Sequence, residues 1–505
     1  MSDSVTRRKF LEQSTKLAGA AAALSSAAGC GQEGGGMTRA GAGPSARTVR
    51  RAVGANEKFN VALIGCGGMG SYKLTNFMNT RQCNLAALCD VDESHLADKH
   101  FEGHVKGSEA LKAALEAGPA RVKDYRAVCD RKDIDLVIVA TPDHWHAAPM
   151  MLAVASGKDV YCEKPCCHNV REGVLMLKAA RKFGAVVQVG THQRQIPHIQ
   201  EARRFIQEGG LGTISMTNTY TYGNEVLKHL GHAPDGPPPP GVDYELWLGP
   251  APKRPFNPRR FHNTWRWYFD YASGMVGDWN VHLQDIIMWT MGVTAPVSVS
   301  CIGGHWVLDD DRTTPDTMVA TYEFGPARNA PKGFVQTYTM RKASGKPWDA
   351  GGYGMDFHGA NGMIHLTRTD YITEPDKWDW KSWDPVAKRG MLGPNGSEWR
   401  LGDMTKEQKN RVDPGADQAA HMKHVENFLE CVRTRSQPLA GIESHYHTVV
   451  ACHLANVSLR CGGRRLYWDA DQALCFSDPA HKSPDREANR LLSREYRKGY
   501  ELPEV

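Results

Sequence analysis

Val61-Ala-Leu-Ile-Gly65-Cys-Gly67-Gly68-Met69-Gly70 decides how the first part of this chain folds. Its apolar start reads as a strand that runs straight into Gly65-x-Gly67-x-x-Gly70, and Ser71 to Met78 follows as a helix. Gly65 permits the tight turn, Gly67 lets the backbone come close to a pyrophosphate, and Gly70 lets helix and strand pack together. The helix start, with Gly68 and Met69, offers unpaired N–H groups and a positive dipole end to phosphates. Asp90, twenty residues past Gly70, closes a second apolar run from Asn84 to Cys89. A carboxylate there accepts hydrogen bonds from ribose hydroxyls and repels a 2′-phosphate, so the stretch predicts a dinucleotide site that prefers NAD to NADP.

Working outward, apolar strands and amphipathic helices alternate from Phe59 to about Gly190. That alternation predicts an α/β fold with a doubly wound parallel sheet. Strands are expected at Asn60–Ile64, Leu85–Cys89, Leu136–Ala140, Asp159–Cys162 and Val186–Val189, with helices such as Ala148–Ser156 and Arg171–Phe183 between them. Beyond Gly190 the texture changes to longer runs rich in Thr, Tyr and Val: Thr213–Tyr222, Val297–Gly303, Thr317–Phe324 and Gly333–Met340. These predict a second, α+β domain with a largely antiparallel open sheet. Helical periodicity returns at Ala419–Arg433 and Ser444–Arg460, whereas residues 367–414 fit no pattern.

The N-terminus reads as an address. Thr6-Arg7-Arg8-Lys9-Phe10-Leu11 precedes a small-sided apolar stretch from Leu17 to Gly29, the order of a twin-arginine export signal. Cys30 ends what resembles a lipoprotein cleavage box, so lipid on this cysteine and ordinary cleavage nearby both stand open. The expected segments are a signal at 1–30, a Gly/Ala/Ser-rich linker at 31–57, a dinucleotide-binding domain at 58–190 and a substrate and oligomerisation domain at 191–505. The chain is thus expected in the periplasm or lipid-anchored at the cell envelope. A net charge of +5 over 505 residues, without a basic block, argues against nucleic acid. Past the signal no apolar run is long enough to span a membrane. Thirteen cysteines lack the spacing of a disulfide framework. Cys162, Cys166, Cys167 and His168 match no zinc pattern, so no metal is expected.

Further motifs join the glycine turn. Ala140-Thr141-Pro-Asp143-His144-Trp-His146 ends one expected strand, and Glu163-Lys164-Pro165 ends the next. Gly274-Met-Val-Gly-Asp278-Trp-Asn280-Val-His282-Leu-Gln-Asp285 follows much later. With Tyr244 to Pro250 and Asn489 to Arg494, these make residues 58 to about 500 resemble the Gfo/Idh/MocA family, whose namesakes include glucose–fructose oxidoreductase and inositol dehydrogenase. The resemblance implies an N-terminal Rossmann domain and a C-terminal domain whose open sheet often mediates homo-oligomers. It assigns cofactor contact to Gly65, Gly67, Gly68, Met69, Gly70, Asp90, Thr141, His146, Glu163 and Lys164. It makes Lys164, Asp278 and His282 catalytic, with the histidine as proton acceptor. Asn280 departs from the glycine more usual in the resembling sequences.

Elementary chemistry supports these assignments. Ligands of open α/β sheets bind beyond the carboxyl ends of the strands, where Asp143 to His146 and Glu163 to Lys164 fall. Taking hydride from a carbinol requires its hydroxyl proton to leave, and imidazole suits that near neutral pH. A cationic Lys164 stabilises the developing alkoxide. On an α-helix Asp278, His282 and Asp285 share one face, which lets Asp278 orient the imidazole. The stretch Phe261 to Tyr268 is expected either to stack on a sugar or to form an interface core.

The expected function is an NAD(P)-dependent oxidoreductase acting on a secondary hydroxyl of a sugar or cyclitol, with a tightly held cofactor that survives export. Two alternatives are a glycoside hydrolase or lyase that uses NAD transiently, and a non-catalytic surface sugar-binding protein.

Overall fold

The computed structural model describes residues 57–227, 229–344, 352–375 and 415–502, together with residues 54 and 505. The export signal, Arg7, Arg8, Cys30 and nearly all of the linker lie outside the described residues. Among the described residues no helix is long and apolar enough to cross a membrane.

Six parallel strands form the first sheet: β1 (Phe59–Ile64), β2 (Cys83–Cys89), β3 (Ala120–Val122), β4 (Leu136–Val139), β5 (Asp159–Cys162) and β6 (Val187–Val189). Their order, β3-β2-β1-β4-β5-β6, reverses between β1 and β4. In such sheets that reversal opens a ligand crevice beyond the strand ends. Central strands are apolar on both faces because helices cover both. Leu74 and Phe77 of the helix Gly68–Asn79 pack on one face, and Met150, Val154, Leu175 and Met176 pack on the other. Local chemistry sets the helix limits. Asn169 accepts from the Glu172 N–H at 3.0 Å to start the helix Val170–Phe183, and Gly184 ends it at φ +59°.

The second sheet has nine strands in the order β13-β12-β11-β7-β10-β9-β8-β14-β15. They are β7 (Ile214–Tyr222), β8 (Ser298–Gly304), β9 (Thr317–Phe324), β10 (Phe334–Arg341), β11 (Tyr353–Gly359), β12 (Gly362–Leu366), β13 (Tyr371–Pro375), β14 (Leu466–Asp469) and β15 (Leu474–Phe476). Only β7 and β10 pair in parallel. In β9, Met318, Ala320, Tyr322 and Phe324 are buried while the residues between them are not, the alternation of a sheet with one covered face. β13 lies within residues 367–414, which fit no pattern in the sequence, and β11 and β12 were not among the expected strands.

Two late helices tie the sheets together. Ile442–Arg460 lies between them: Val449 joins the core shared with β8, and Ser458 Oγ accepts from the Cys301 N–H at 3.0 Å. Ala416–Thr434 returns to the first sheet, where Val425, Phe428 and Leu429 pack with Phe77 and Tyr161. His424 Nε2 donates to the Val189 carbonyl at 2.9 Å.

Candidate active site

The carboxyl ends of β1, β2, β4 and β5 open into a cleft of about 350 Å³. Gly65, Gly67, Gly68, Met69, Asp90, Thr141, His146, Glu163 and Lys164 line it, joined by Asp278 from beyond the first sheet. Of the expected cofactor contacts, only Gly70 is not in the lining. A Cβ at Gly70 would sit 1.9 Å from the Gly65 carbonyl oxygen, so this glycine serves the close approach of helix and turn. Gly65 adopts φ +91°, and its missing side chain makes room for the Ala140 backbone.

The turn fits a dinucleotide phosphate. A Cβ on Gly68 would meet nothing within 4 Å, and one on Gly67 only His95 Cε1 at 3.8 Å, so both glycines border open space. No side chain caps the helix start at Gly67, which leaves its first N–H groups for an anion. Met69 is 42% exposed against this space, an apolar surface that a bound ring system would cover. Asp90 accepts at Oδ2 from the Cys66 N–H (2.7 Å) and at Oδ1 from the Asp92 N–H (2.9 Å). His95 Nδ1 lies 3.3 Å from Oδ2. A carboxylate has about four lone-pair directions, so Oδ1 keeps room for a ribose hydroxyl.

Residues 241–266 wall the far side of the cleft, contributing Trp247, His262, Trp265 and Arg266. This wall is pinned to the first sheet's loops. Trp145 Nε1 donates to the Leu246 and Trp247 carbonyls at 3.0 and 2.9 Å, and His262 Nε2 meets Asp92 Oδ2 at 2.8 Å. Phe261 and Trp265 belong to a buried aromatic cluster with Trp247, Phe256 and Tyr271, so the aromatic stretch is mainly interface core. Its polar members, His262 and Arg266, reach the cleft.

At the other end Lys164 joins the two parts of the protein. Its Nζ donates to the Asp278 carbonyl at 2.7 Å and to Asp278 Oδ1 at 2.9 Å, and Arg266 Nε donates to the same Oδ1 at 3.2 Å. Burial pushes Asp278 up, but Lys164 and Arg266 outweigh it and hold the carboxyl at about 2. Two cations thus share one anion. Asp143, also in the lining, is pushed well above the usual carboxylate range by burial, against the pull of Lys164.

The expected partnership of Asp278 with His282 is corrected. Residues 276–280 form a π turn before the α-helix Val281–Met291, and this wider turn carries Asp278 off the line of His282. The carboxylate goes to Lys164 and Arg266, while among the described residues Nδ1 of His282 has no hydrogen-bond partner. His282 is buried and lies outside the cleft lining. Burial, and next the Lys164 charge, hold it well below its ordinary range, so the imidazole is neutral. Asp285 belongs to a structural network, clasped by Arg194 at 2.7 and 2.6 Å and by Thr448 at 3.1 Å. Asn280 is fully buried, and neither of its amide atoms is paired among the described residues.

The other expected residues divide by how they are held. His146 lines the cleft, yet its Nδ1 and Nε2 contact the Pro165 and Thr141 carbonyls at 2.6 and 2.9 Å, so it braces the loop. His144 packs away from the cleft lining, with Nε2 on the Trp247 carbonyl at 2.9 Å. Thr141 Oγ1 is buried without a hydrogen-bond partner among the described residues. Glu163 is anchored from behind by the buried Lys73 at 3.5 Å. Reading motifs alone missed Arg266, although Asp278 is close in sequence, and Lys73, His262 and, beside His282, the pair His192 and Asp417, whose partners are distant.

Two family models match the chain, together over just over half of it. Residues 59–191 match the oxidoreductase family, NAD-binding Rossmann fold, of Gfo/Idh/MocA, and residues 198–324 match that family's C-terminal alpha/beta domain. A levoglucosan dehydrogenase of Pseudarthrobacter phenanthrenivorans is 36% identical over 186 residues, 36% of this chain and 39% of that protein. Inositol 2-dehydrogenase 2 of Saccharopolyspora erythraea is 29% identical over 178 residues, 35% of this chain and 47% of that protein. The matches therefore span less than half the length of these curated relatives. Among solved structures, the WlbA dehydrogenase of Chromobacterium violaceum, in complex with NADH and UDP-GlcNAcA, aligns with a TM-score of 0.59 at 18% identity, covering 84% of this chain and 99% of that one. Levoglucosan dehydrogenase in complex with NADH and levoglucosan aligns at 0.55 and 17% identity, covering 81% and 99%. At such identities the likeness is one of fold.

Proposed function

Because this chain belongs to the Gfo/Idh/MocA oxidoreductase family, we propose that it is an NAD-dependent oxidoreductase acting on a secondary hydroxyl of a sugar or cyclitol. The observation that carries the reading is the Lys164–Asp278 contact at 2.9 Å, which puts an ammonium from the nucleotide-binding sheet against the second domain at the mouth of the cleft. Relatives whose names specify levoglucosan and inositol support the substrate class.

A bound nicotinamide dinucleotide supplies the hydride acceptor, and the chain supplies everything around it. The glycine turn and helix start would hold the pyrophosphate, Asp90 would accept from a ribose hydroxyl, and Met69 would cover an apolar face. Lys164, largely buried, would stabilise a substrate oxygen as alkoxide character develops. Asp278 keeps that ammonium in place and offsets part of its charge. His282 is buried and neutral, so it can accept a proton but not donate one, and from outside the cleft lining it would take the hydroxyl proton only from a substrate that reaches past Lys164. Its pull on the proton is weaker than that of an exposed imidazole, and the Lys164 charge compensates by acidifying the hydroxyl.

The wall at residues 241–266 favours a cofactor that leaves slowly, since release requires its hydrogen bonds to Trp145 and Asp92 to open. A chain exported after folding would then carry its own NAD, and every described cysteine is buried and outside any disulfide, as in a protein folded before reaching an oxidising compartment. The test is mass spectrometry of ligand released from protein purified without added cofactor, followed by a screen with levoglucosan, myo-inositol and methyl β-D-glucopyranoside for reduction of the bound nicotinamide. Protein free of dinucleotide refutes the tight-cofactor reading. Failure to reduce added NAD with any of these sugars refutes the assigned substrate class.

A further inference from the structure

A second cavity, of about 340 Å³, shares no lining residue with the cofactor cleft. One face of the helix Ile442–Arg460 contributes His453, Asn456 and Arg460 to it. His453 Nε2 donates to the Cys167 carbonyl at 3.1 Å, and Asn456 Nδ2 donates to the Ser273 carbonyl at 2.9 Å. Cys167 stands three residues after Lys164, and Ser273 five before Asp278. Two side chains spaced i, i+3 on a single helix thus hold both segments that carry the Lys164–Asp278 pair. Ser273 also packs on the π turn, since a Cβ on Gly277 would lie 2.8 Å from its Oγ.

Four residues of this lining carry buried polar atoms that have no hydrogen-bond partner among the described residues: Ser273 Oγ, Asn456 Oδ1, His168 Nδ1, and Nε and Nη1 of Arg494. Buried polar atoms are nearly always paired, so a cluster of unpaired ones around a single cavity calls for an explanation. They include both donors and acceptors. His168 gives its Nε2 proton to the Phe269 carbonyl at 2.9 Å, and burial, then the Arg494 charge, hold the ring well below its ordinary range, so Nδ1 is a lone pair. Burial lowers His453 to about 4, so this ring too is neutral, and donation from Nε2 leaves Nδ1 as an acceptor. Arg494 offers only N–H groups, and its Nη2 already serves the His144 carbonyl and Glu172 at 3.0 and 2.6 Å. Arg460 and Arg490 stand exposed at the rim. The Arg460 guanidinium lies over the Phe269 ring at 5.1 Å, so an aromatic face positions it and no carboxylate consumes its donors among the described residues. Of the lining carboxylates, Asp270 is paired with Arg254, which leaves Glu495 against two rim arginines and one positive charge in excess.

We propose that this cavity is a second ligand site, which takes a small hydroxylated anion of the sugar-acid class and lets its occupant act on the Lys164–Asp278 pair. The excess positive charge and the arginine N–H groups ask for an anionic end, which Arg460 and Arg490 receive. The acceptors on His168, His453 and Asn456 ask for donors, and hydroxyls supply them. Sulfate brings no donor, and a neutral sugar leaves the charge uncompensated, so each alone answers half of the lining. The unpaired atoms lie just under the cavity surface, and pairing them asks each side chain for a small turn about its last bonds. The volume falls at the lower end of small-molecule sites, about 300–1,000 Å³, which suits one monosaccharide unit. Because His453 and Asn456 also grip Cys167 and Ser273, an occupant that steadies them steadies the backbone on both sides of the cleft's ion pair. Such coupling is reciprocal: whatever orders that pair also tightens the acid.

The experiment titrates the holoprotein calorimetrically with D-gluconate and D-glucuronate, beside D-glucose and sulfate, and repeats each titration on the double variant Arg460→Gln, Arg490→Gln. At least one of the two acids should bind about tenfold or more tightly than glucose and sulfate, and the double variant should lose about tenfold in that affinity, the order of one charge-assisted hydrogen bond. Both arginines are exposed, so the variant should keep the wild-type melting temperature and its rate of cofactor reduction with the sugars of the screen. Hydrogen exchange read by mass spectrometry locates the acid: amides of residues 453–460, 490–495 and 270–280 should slow, while those of the glycine turn at 65–70 should not. Absence of binding by both acids overturns the proposal, as does an affinity that the double variant leaves unchanged. Sulfate binding as tightly as either acid overturns the sugar-acid class in favour of a plain anion site. Slowing at the glycine turn without slowing at 453–460 puts the acid in the cofactor cleft and overturns the second site. Slowing at the helix and tail but not at 270–280 overturns the action on Lys164 and Asp278. Binding is read without turnover, so failure of the sugars to reduce the cofactor refutes the hydride reading and leaves this inference standing.

Discussion

Lys164→Met removes a charge while keeping most of the side chain's length, and its cost can be worked from the geometry. Asp278 stands at about 2 against an ordinary 3.8, which corresponds to about 2.5 kcal/mol of native-state stability at neutral pH, contributed jointly by Lys164 and Arg266. The carboxylate is only 14% exposed, so solvent relieves little of the loss. Without Lys164 it keeps a single cation, Arg266, at 3.2 Å. Breaking a buried pair costs about 3–5 kcal/mol, and the remaining Arg266 contact should reduce that to roughly 2–3 kcal/mol. The double variant with Asp278→Asn should recover most of the deficit, because no buried charge is then left short of partners. Urea unfolding of the wild type, both single variants and the double variant measures this coupling. The sign with pH follows from a depressed carboxyl: its share of stability is full above the ordinary value of 3.8 and fades as pH falls through about 2. Single-turnover reduction of bound cofactor should meanwhile fall about 10²–10³-fold, the usual cost of losing a donor to a developing oxyanion. Wild-type turnover in Lys164→Met, or a thermodynamic cycle without coupling, would refute the reasoning.

Three more outcomes are expected. Gly70→Ala should unfold at lower temperature and lose its dinucleotide, since the new Cβ would lie 1.9 Å from the Gly65 oxygen; Gly68→Ala should keep its melting temperature yet bind dinucleotide more weakly, because its Cβ enters open space. His262→Ala breaks the 2.8 Å contact with Asp92 and should speed cofactor dissociation about tenfold, as read by chase with labelled dinucleotide; an unchanged rate would show that the wall does not retain the cofactor. Asp90→Asn should narrow the preference for NAD over NADP in equilibrium binding, and an unaltered preference would remove Asp90 from ribose recognition.

The first sheet was legible because its signals are local. A strand, a glycine turn and a helix follow one another without interruption, and the helix Val170–Phe183 carries its own cap in Asn169 and its own stop in Gly184. β9 was equally plain, since alternation over eight residues admits one face to the core. The cleft lining followed from the motifs at the strand ends. What failed was orientation. Assuming regular α-helical spacing put Asp278 beneath His282, whereas the π turn at residues 276–280 hands the carboxylate to Lys164 and Arg266. Assuming an ordinary imidazole ignored burial beside a lysine. The His192–Asp417 pair left no signal, because its members are separated by more than two hundred residues and only the folded backbone brings them within hydrogen-bond reach. Part of the wall was visible as the aromatic stretch Phe261 to Tyr268, but the docking of residues 241–266 on Trp145 and Asp92 was not.

The return of Ala416–Thr434 to the first sheet has a consequence for biosynthesis. Val425, Phe428 and Leu429 complete an apolar layer begun by Leu74 and Phe77 some three hundred and fifty residues earlier. Until the ribosome has delivered that late segment, the nascent nucleotide-binding half carries an uncovered greasy patch and is a client for chaperones. A gene fragment ending near residue 190 should therefore yield inclusion bodies, whereas co-expressing the remainder of the chain in trans should bring it into solution.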